Sequence, residues 1–390
     1  MLMSSLKDLF LLDPDVVFLN HGSFGATPKP VFASYQKWQR EMERQPVNFL
    51  NVKYPEADCW ARQHLGEYLN ASADDIVFVP NATTAINIVA RSLSLSEGDE
   101  VLSTNHEYGA CDNIWSFICQ KTGAHYKRMT VQLPIISQER VVEHIWEGVT
   151  PQTRVIFLSH ITSPTAQQMP VKEIAQRAKQ AGILSVIDGA HAPGQILVDL
   201  KDIDVDFYAG NLHKWALSPK GAGFLYCRRE FQPLIEPLIV SWGWNANPAT
   251  STGSTFLDYL LWQGTRDPSA SLSVPSAIEF QGNYNWHSVR NICHDLLTEA
   301  IHRICGLTGL MPLYQGDVAY YQMAIAPLPK EVNSEVLKQR LWDEYYIEVP
   351  IIEWQQMKLI RISVQGYNSH SDIDALVNAL EVLIPQVVSN

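Results

Sequence analysis

Between about residue 75 and residue 228, short apolar runs alternate with stretches of helical periodicity. The apolar runs are continuous, which indicates strands that are buried on both faces of a sheet. Strands that alternate with helices form a mostly parallel sheet with helices on both sides, so this part of the chain is predicted to be an α/β domain. The predicted strands are residues 76–80, 100–103, 154–160, 183–188, 206–210 and 223–227, and the clearest helices between them are residues 84–93 and 171–181.

The pattern changes after residue 267. We predict a large domain over residues 17–267 and a smaller α+β domain that combines residues 268–390 with residues 1–16. The smaller domain is predicted to contain a long helix at 271–303, strands at 318–326 and 358–364, and helices at 334–345 and 371–383. Early in the large domain, residues 31–43 are predicted to be a helix and residues 46–55 a loop.

The charge balance and the cysteine pattern exclude several classes of protein. Lys plus Arg number 29 and Asp plus Glu number 41, so the formal net charge is −12. Proteins that bind nucleic acids or anionic membranes have basic surfaces instead, and no apolar run reaches the length of about 18 residues that a membrane span needs. The N-terminal stretch lacks the charge pattern of a secretory signal, and the six cysteines are scattered without a CxxC pair. These features favour a reducing cytoplasm and no metal site.

Common nucleotide-binding motifs are missing from the predicted sheet. Open α/β sheets bind ligands beyond the carboxyl ends of their strands, where dinucleotides and ATP are the first candidates. No GxGxxG follows a strand, and GxxxxGK(S/T) does not occur. The glycine-rich residues 220–223 precede a strand rather than a helix, and the GxSxG motif of α/β-hydrolases is also absent. The sheet therefore binds another kind of ligand.

Polar residues follow the ends of two predicted strands. Thr83 and Thr84 follow the strand at 76–80 and begin a helix, where hydroxyl and free N–H groups favour a phosphate, although a threonine helix cap gives the same pattern. Asp188 ends the strand at 183–188. Burying a carboxylate costs several kcal/mol unless it is paired, so a cationic ring nitrogen is a fitting partner, with a turn-capping Asp as the alternative.

A third strand end carries Asn211, His213 and Lys214. A lysine that is desolvated at the end of a strand has a lowered pKa and forms imines with carbonyl compounds. A lone lysine is ordinarily a solvated surface charge. The presence of all three segments on one sheet favours a shared ligand over three separate structural explanations.

These segments resemble those of pyridoxal-phosphate (PLP) enzymes of fold type I, in the class V aminotransferase family and its isopenicillin N epimerase-like branch. The resemblance implies a large domain with a mostly parallel, seven-stranded type of sheet flanked by helices, and a smaller α+β C-terminal domain. The matching motifs run in family order over nearly the whole chain. They are NHGSFGATP at 20–28, NATTAIN at 81–87, HEYGA at 106–110, DGAH at 188–191, NLHK at 211–214, GTRD at 264–267 and RIS at 361–363.

The resemblance implies a role for each residue around the cofactor ring. Lys214 would bind PLP as an imine and then act as the general base at Cα of the substrate. Asp188 would keep the pyridine nitrogen protonated, which makes the ring an electron sink. His191 would bond the phenolic oxygen, and Tyr108 would stack on the ring.

Further residues are implied to bind the phosphate, the substrate or a second subunit. The phosphate ligands would be Ala82, Thr83, Asn211 and His213. Thr265 would reach the phosphate of a neighbouring subunit, which implies a homodimer with shared active sites. Arg361 would hold the substrate α-carboxylate as a bidentate fork, with Asn20 and His21 lining the substrate side.

PLP is the expected cofactor and an amino acid the expected substrate, but the reaction stays open. Epimerisation comes first, and β-elimination of the C–S lyase type and transamination are the alternatives. A non-catalytic PLP-binding module is an alternative from a different class, against which the intact substrate clamp argues. Cysteine desulfuration is discounted because the relatives that catalyse it need a nucleophilic cysteine on a mobile loop of the small domain, and no cysteine follows Cys305. Epimerisation needs proton delivery to both faces of Cα, so Tyr108, His106 or a water would have to supplement Lys214.

Overall fold

The computed structural model describes residues 6–135, 137–248, 251–314 and 320–388. The strands are β1 (Val17–Phe18), β2 (Ile76–Val79), β3 (Glu100–Thr104), β4 (His125–Met129), β5 (Thr153–Ser159), β6 (Leu184–Gly189), β7 (Phe207–Asn211), β8 (Gly223–Cys227), β9 (Met323–Leu328), β10 (Ile347–Glu348), β11 (Ile351–Trp354) and β12 (Met357–Ser363). The strands predicted for the large domain are all present, to within one residue at either end.

Helices connect most of these strands. The α-helices are α1 (His21–Phe24), α2 (Lys29–Arg44), α3 (Pro46–Asn48), α4 (Tyr54–Leu69), α5 (Ala82–Ser92), α6 (Gly109–Thr122), α7 (Gln138–Glu147), α8 (Val171–Gln180), α9 (Leu200–Ile203), α10 (Thr255–Leu261), α11 (Ser269–Leu272), α12 (Val274–Asn283), α13 (Trp286–Thr308), α14 (Ser334–Tyr345) and α15 (His370–Leu383). A π-helical segment, Phe49–Lys53, joins α3 to α4. No helix among the described residues combines the length and the apolar character that crossing a membrane requires.

Within the described residues, seven strands form one sheet in the order β2-β8-β7-β6-β5-β3-β4. Only β8 runs antiparallel to its neighbours, so the predicted mostly parallel sheet is confirmed. The chain proceeds from β3 outward to β4 and then returns to the opposite side of β3 to form β5. This reversal opens a crevice at the carboxyl ends of β3 and β5, and open α/β sheets bind their ligands at such a point.

Both faces of this sheet are buried, as its apolar strands predict. Along β2, Ile76 and Phe78 pack into one core and Val77 and Val79 into another, because successive side chains of a strand point to opposite faces. The first core also contains residues of α4, α7 and α8, whereas the second contains residues of α5 and α6. The helices therefore flank the sheet on both sides and leave its carboxyl edge for a site.

A separate core lies under the C-terminal part of the chain. There β11, β12 and β9 form an antiparallel sheet, and the short β1 pairs with β10. Leu6 and Phe10 belong to this core, as expected for an N-terminal segment that packs beside the smaller domain. Ala270 and Leu272 pack into the core of the large sheet instead. The boundary at 267/268 stays a prediction.

Two predictions about helices are wrong. Residues 46–55 are helical rather than a loop, because Pro46 and Pro55 occupy the first turns of α3 and α4, where proline is tolerated. The single helix predicted at 271–303 is divided into α11, α12 and α13. Asn285, in the left-handed conformation with φ of 47°, separates the last two.

Five strands differ from the predictions, among them the short β1, β10 and β11, which the sequence did not predict. The sequence did not predict β4, because it pairs only with β3 at the sheet edge and its partly exposed residues form no apolar run. The strand predicted at 318–326 is observed as β9, Met323–Leu328, and residues 318 and 319 lie outside the described part of the chain.

Candidate active site

A cavity of about 240 Å³ lies at the carboxyl ends of β5, β6 and β7, beside the N-termini of α5 and α6. It contains every cofactor ligand predicted from the sequence except Thr265. Its lining residues are Ser23, Phe24, Asn81, Ala82, Thr83, Tyr108, Ser159, Ile161, Ser163, Asp188, Ala190, His191, Asn211, His213 and Lys214. A larger cleft of about 1150 Å³ contains none of the predicted cofactor ligands. The chemistry-bearing residues therefore identify the smaller cavity as the candidate site.

Lys214 lies in the turn that follows β7, and its Nζ is 3.1 Å from Nε2 of His191. Desolvation by the surrounding protein lowers the pKa of Lys214 to about 8, and the charge of Arg361 acts in the same direction. The negative charge of Asp188 opposes this shift. A sizeable fraction of the Lys214 amine is therefore neutral near pH 8, and the neutral amine is the form that attacks a carbonyl or accepts a proton.

The hydrogen-bond directions around His191 also favour a neutral lysine. Trp215 Nε1–H can only donate, and it lies 3.2 Å from Nδ1 of His191. Burial holds the pKa of His191 well below its usual value, so the ring is neutral and its single proton is on Nε2. Nε2–H then donates to Lys214 Nζ, which must offer a lone pair. Trp215 thus fixes the tautomer of His191, a role that sequence reasoning missed.

Asp188 is buried at the end of β6, in the predicted position. Its Oδ1 accepts the N–H of Ala190 at 2.9 Å, and its Oδ2 accepts the Cys111 thiol at 3.5 Å. A thiol is a weak donor, so burial dominates and raises the pKa of Asp188. A buried carboxylate with so few donors would be stabilised by a cationic partner in the cavity.

The N-terminus of α5 lies on the predicted phosphate side of the cavity. Asn81 caps this helix by accepting the Thr84 N–H at 2.8 Å, and the Ala82 N–H donates to Oδ1 of Asn211 at 2.8 Å. The Ala82 amide is thus already engaged, which differs from the predicted role of a phosphate donor. Thr83 lines the cavity and stays a candidate phosphate ligand.

His213 completes this side of the cavity. Its Nδ1 donates to the carbonyl of Ala222 at 3.1 Å, and burial lowers the pKa of His213 to about 4. The ring is therefore neutral at pH 7, and Nε2 is an acceptor. It becomes a donor only when a bound anion, such as a phosphate, raises the pKa of the ring.

Arg361 is a buried arginine on β12, near the cavity but on the smaller domain. Its Nη1 donates to the carbonyl of Ser163 at 2.6 Å, and its Nη2 donates to Oγ of Ser23 at 3.2 Å. Within the described residues its Nε has no hydrogen-bond partner, and no carboxylate pairs with it. Burial lowers the pKa of Arg361 to about 10, which leaves the guanidinium charged at pH 7. An unpaired, charged fork of this kind fits a carboxylate ligand.

Tyr108 and His106 have different environments. Tyr108 precedes α6, lines the cavity and is 47% exposed. His106 is fully buried outside the cavity, where Nδ1 pairs with Oγ1 of Thr165 at 2.7 Å and Nε2 pairs with the carbonyl of Val131 at 2.8 Å. The structure therefore argues against His106 as a second proton donor. Tyr108, which lines the cavity, stays a candidate for that role.

Asn20 and His21 do not line the cavity. Asn20 bonds to Glu348 and Ser23, and the fully buried His21 lies against the main chain of Lys214. From the same motif, Ser23 and Phe24 line the cavity instead. The sequence contained this signal, because both residues lie within the NHGSFG segment, but it did not indicate which side chains face the ligand.

Gly25 and Thr265 also lie outside the cavity. Gly25, with φ of 70°, packs so tightly that an added Cβ would lie 2.1 Å from the carbonyl oxygen of His213, so the NHGSFG segment is pressed against the lysine turn. Thr265 is exposed and does not reach the cavity of its own chain. Its predicted role toward a second subunit stays a proposal.

Comparison with known proteins places the chain in a family. Residues 25–376 match the family Aminotransferase class-V. The chain is 35% identical to an isopenicillin N epimerase of Amycolatopsis lactamdurans, over 97% of this chain and 98% of the relative. It is 33% identical to the isopenicillin N epimerase of Streptomyces clavuligerus over 96% of both chains. It is also 29% identical to a probable chloroplastic L-cysteine desulfhydrase of Arabidopsis thaliana, over 95% of this chain and 84% of the relative.

Solved structures show the same fold. The cysteine desulfurase CsdA from Escherichia coli superposes with a TM-score of 0.81 at 22% identity, over the full length of both chains. The cystine C-S lyase C-DES superposes with a TM-score of 0.81 at 21% identity, over 94% of this chain and 98% of that one. The chain belongs to the class V aminotransferase family and is a PLP-dependent enzyme.

The residues present fit this cofactor. Asp188 is a buried carboxylate in need of a cationic partner, and a protonated pyridine nitrogen is one. Lys214 offers a neutral amine for the aldehyde, and Thr83 lies at a helix N-terminus for the phosphate. His191 Nε2–H, now directed at Lys214, is a donor for the ring oxygen.

The lowered pKa of Lys214 gives a testable pH dependence. Below pH 8 the amine is increasingly protonated and cannot attack, so covalent attachment of PLP to the cofactor-free chain should accelerate about tenfold per pH unit up to about pH 8 and then level off. Stopped-flow absorbance after mixing with PLP measures this rate.

Replacing Lys214 should abolish the covalent adduct. After borohydride reduction, the mass of Lys214→Ala is expected to carry no PLP, whereas Lys220→Ala should label like the wild type, because Lys220 bonds to the Gly25 carbonyl outside the cavity. A rate that keeps rising to pH 10, or a labelled Lys214→Ala, would contradict the assignment.

Proposed function

We propose that this enzyme removes the proton from Cα of an amino-acid substrate, with Lys214 as the base and Arg361 as the carboxylate clamp. PLP supplies the electron sink for the carbanion. The observation that carries the proposal is the presence of two groups beside one cavity: an amine whose pKa is lowered to about 8, and a buried guanidinium without a carboxylate partner in the described chain. The charge of Arg361 contributes to the lowered pKa of Lys214.

Arg361 and Ser23 together favour an α-carboxylate on the substrate. Nη2 of Arg361 is held by Ser23 Oγ, and Nη1 is held by Ser163, so the fork is oriented before substrate binds. An incoming carboxylate would satisfy the free Nε and balance the buried charge. This arrangement favours an amino acid over an amine that lacks the carboxylate.

Sulfur transfer through a nucleophilic cysteine is not supported. The last cysteine of the chain is Cys305, on α13 and outside the cavity. Cys111 lies nearer the cavity, but burial raises the pKa of its thiol well above the usual value, which disfavours the thiolate. The structural likeness to desulfurases therefore concerns the fold.

Epimerisation is the first candidate for the overall reaction that begins with proton removal. The two isopenicillin N epimerases are the most similar of the relatives named above, and Tyr108 offers a hydroxyl in the same cavity from a different element than Lys214. Two-base epimerisation would use Lys214 and Tyr108 on opposite faces of Cα.

β-Elimination is the second candidate, because the structure leaves few bases beside Lys214. His106 is engaged on both nitrogens, and so is His191, through Trp215 and Lys214. Elimination needs only one base and a leaving group on Cβ. The similarity to L-cysteine desulfhydrases supports this alternative.

Isotope exchange should separate these reactions. We expect the enzyme, incubated in D₂O with a panel of L- and D-amino acids, to incorporate deuterium at Cα of its substrate, as followed by NMR. Appearance of the opposite enantiomer indicates epimerisation, release of pyruvate and ammonia indicates elimination, and transfer of the amino group to a keto acid indicates transamination. Loss of all exchange in Lys214→Ala is expected. The absence of exchange with every amino acid would refute the proposal.

Replacing Arg361 should weaken the use of carboxylate-bearing substrates. Charge-assisted hydrogen bonds contribute about 1.5–3 kcal/mol each, so kcat/KM of Arg361→Met should fall by about 10- to 150-fold while PLP attachment is retained. Arg303→Met is the control, because Arg303 pairs with Glu299 and Asp374 on the surface of the same domain. An unchanged kcat/KM in Arg361→Met would exclude the clamp.

We further propose a homodimer that works in the cytoplasm. Val47, Val52, Val240 and Trp242 are exposed apolar side chains, with Trp242 85% accessible. Large exposed apolar side chains are common at protein interfaces, and a second copy is the occupant that would bring Thr265 to a cavity. All six cysteines are free thiols, which fits a reducing compartment.

The dimer proposal is tested by light scattering after size exclusion over a range of protein concentrations. The wild type is expected to be a dimer, and Trp242→Arg should shift it toward monomer because a charge would be buried at the interface. Leu197→Arg is the control, since Leu197 is 79% exposed but lines a different cleft. A monomeric wild type with full activity would contradict the proposal.

A further inference from the structure

A buried carboxyl group behind the cavity has no part in the chemistry proposed above. Glu107 precedes Tyr108 and is 5% exposed. Its Oε1 accepts the Thr104 hydroxyl at 2.7 Å, and its Oε2 accepts both the N–H and the hydroxyl of Ser159, at 2.7 and 2.6 Å. Three short hydrogen bonds therefore converge on one buried side chain.

We propose that Glu107 is a positioning residue of the cofactor site, which ties the carboxyl end of β3 to that of β5 and so holds Ser159 and Asp188 in place. Asp188 is the residue proposed to face the pyridine nitrogen of PLP. The inference thus rests on the proposed function and adds to it a residue that does not touch the reacting atoms.

The need for such a connection comes from the sheet. The ladder between β3 and β5 ends at Leu102 and Ile156, although β3 continues to Thr104 and β5 to Ser159. Beyond that point the main-chain register between the two strands stops, at the crevice where the strand order reverses. Glu107 bonds to the last residue of each strand, across the gap where main-chain pairing has stopped.

Ser159 transmits this contact to the cofactor side. It lines the cavity and is the direct register partner of Asp188 on β6. The next residue, His160, donates its N–H to the Asp188 carbonyl at 2.8 Å. Cys111, whose thiol bonds to Asp188, lies about one helical turn after Glu107. A displacement of Ser159 would therefore shift the carboxylate that faces the ring.

The contacts of Glu107 depend on the length and the hydrogen-bonding groups of its side chain rather than on its charge. Burial raises the pKa of Glu107 to about 8, against the opposing effect of the hydrogen bonds from Ser159 and Thr104. The carboxyl is therefore mostly neutral at pH 7, and in that form the proton lies on Oε1, which donates to the Thr104 hydroxyl instead of accepting from it. A glutamine reproduces this arrangement, because its carbonyl accepts both Ser159 donors and its amide donates to the Thr104 hydroxyl. An aspartate is one methylene too short to span both strands.

The decisive measurement is the dissociation constant of PLP, obtained by titrating cofactor-free protein and following the absorbance of bound cofactor at pH 7. Glu107→Gln should bind PLP within about threefold of the wild type. Glu107→Asp and Glu107→Met should bind about tenfold more weakly or worse, because buried donors of Ser159 lose their acceptor. If Glu107 acted through its charge, Glu107→Asp would bind PLP more tightly than Glu107→Gln. If Glu107 acted through packing alone, Glu107→Met would bind PLP as the wild type does.

Asp206 provides a matched control at the opposite ends of the strands, near the starts of β6 and β7. There Asp206 Oδ2 accepts the N–H and the hydroxyl of Ser185, at 2.8 and 3.0 Å, far from the carboxyl ends of the strands. Asp206→Leu removes these two contacts together with the ion pair to Arg228, and should lower the urea midpoint of unfolding without changing the PLP dissociation constant. If Asp206→Leu weakens PLP binding as much as Glu107→Met, the effect is general destabilisation and the proposal fails.

Separate outcomes distinguish the role of Glu107 from the proposed reaction. If Glu107→Met does not fold, the comparison of the Gln and Asp variants decides. A wild type that binds PLP but exchanges no Cα proton refutes the proposed reaction and leaves the role of Glu107 standing. A wild type and a folded Glu107→Met that bind PLP equally refute the role of Glu107 alone. A wild type that does not bind PLP overturns both.

Discussion

The chemistry proposed for this enzyme depends on keeping one amine uncharged. An ordinary lysine remains protonated at pH 7, and here desolvation and a nearby guanidinium weaken that preference at Lys214. The chain Trp215 to His191 to Lys214 adds a directional constraint, because a donor-only indole dictates which nitrogen of the imidazole holds the proton. The amine therefore meets a donor and not an acceptor, and its neutral form is the one that the site stabilises.

The sheet provides the framework for this arrangement. Its parallel strands end together, so residues far apart in the sequence meet at one edge, as Asp188 and Lys214 do. Burial on both faces fixes the position at which each strand ends. The reversal of strand order at β3 and β5 provides the crevice at the carboxyl ends of these strands. The same reversal leaves the ends of β3 and β5 without main-chain bonds to each other, and Glu107 connects them through its side chain.

Much of this was predictable, and the omissions have physical reasons. Continuous apolar runs located the central strands, because burial on both faces leaves a strong signal, whereas the edge strand β4 left none. Most of the residues that line the cavity were predicted because motifs record residue types at fixed spacing. Motifs do not record which way a side chain points in the fold. His21 and Ser23 lie in the same motif, and only the fold shows that Ser23 faces the cavity while His21 faces the protein interior. Long-range partners such as Trp215 for His191 also depend on packing alone.

The environment of His21 has a mechanical consequence. Its neutral ring receives a hydrogen bond from Tyr367 on Nδ1, at 2.9 Å, and its Nε2 donates to the main-chain carbonyl of Lys214, at 3.1 Å. Tyr367 belongs to the C-terminal core, so this imidazole connects the part of the chain that contains Arg361, the proposed clamp, to the turn that contains Lys214, the proposed base. A movement of the C-terminal part relative to the large sheet would therefore be transmitted through His21 to the turn that contains Lys214.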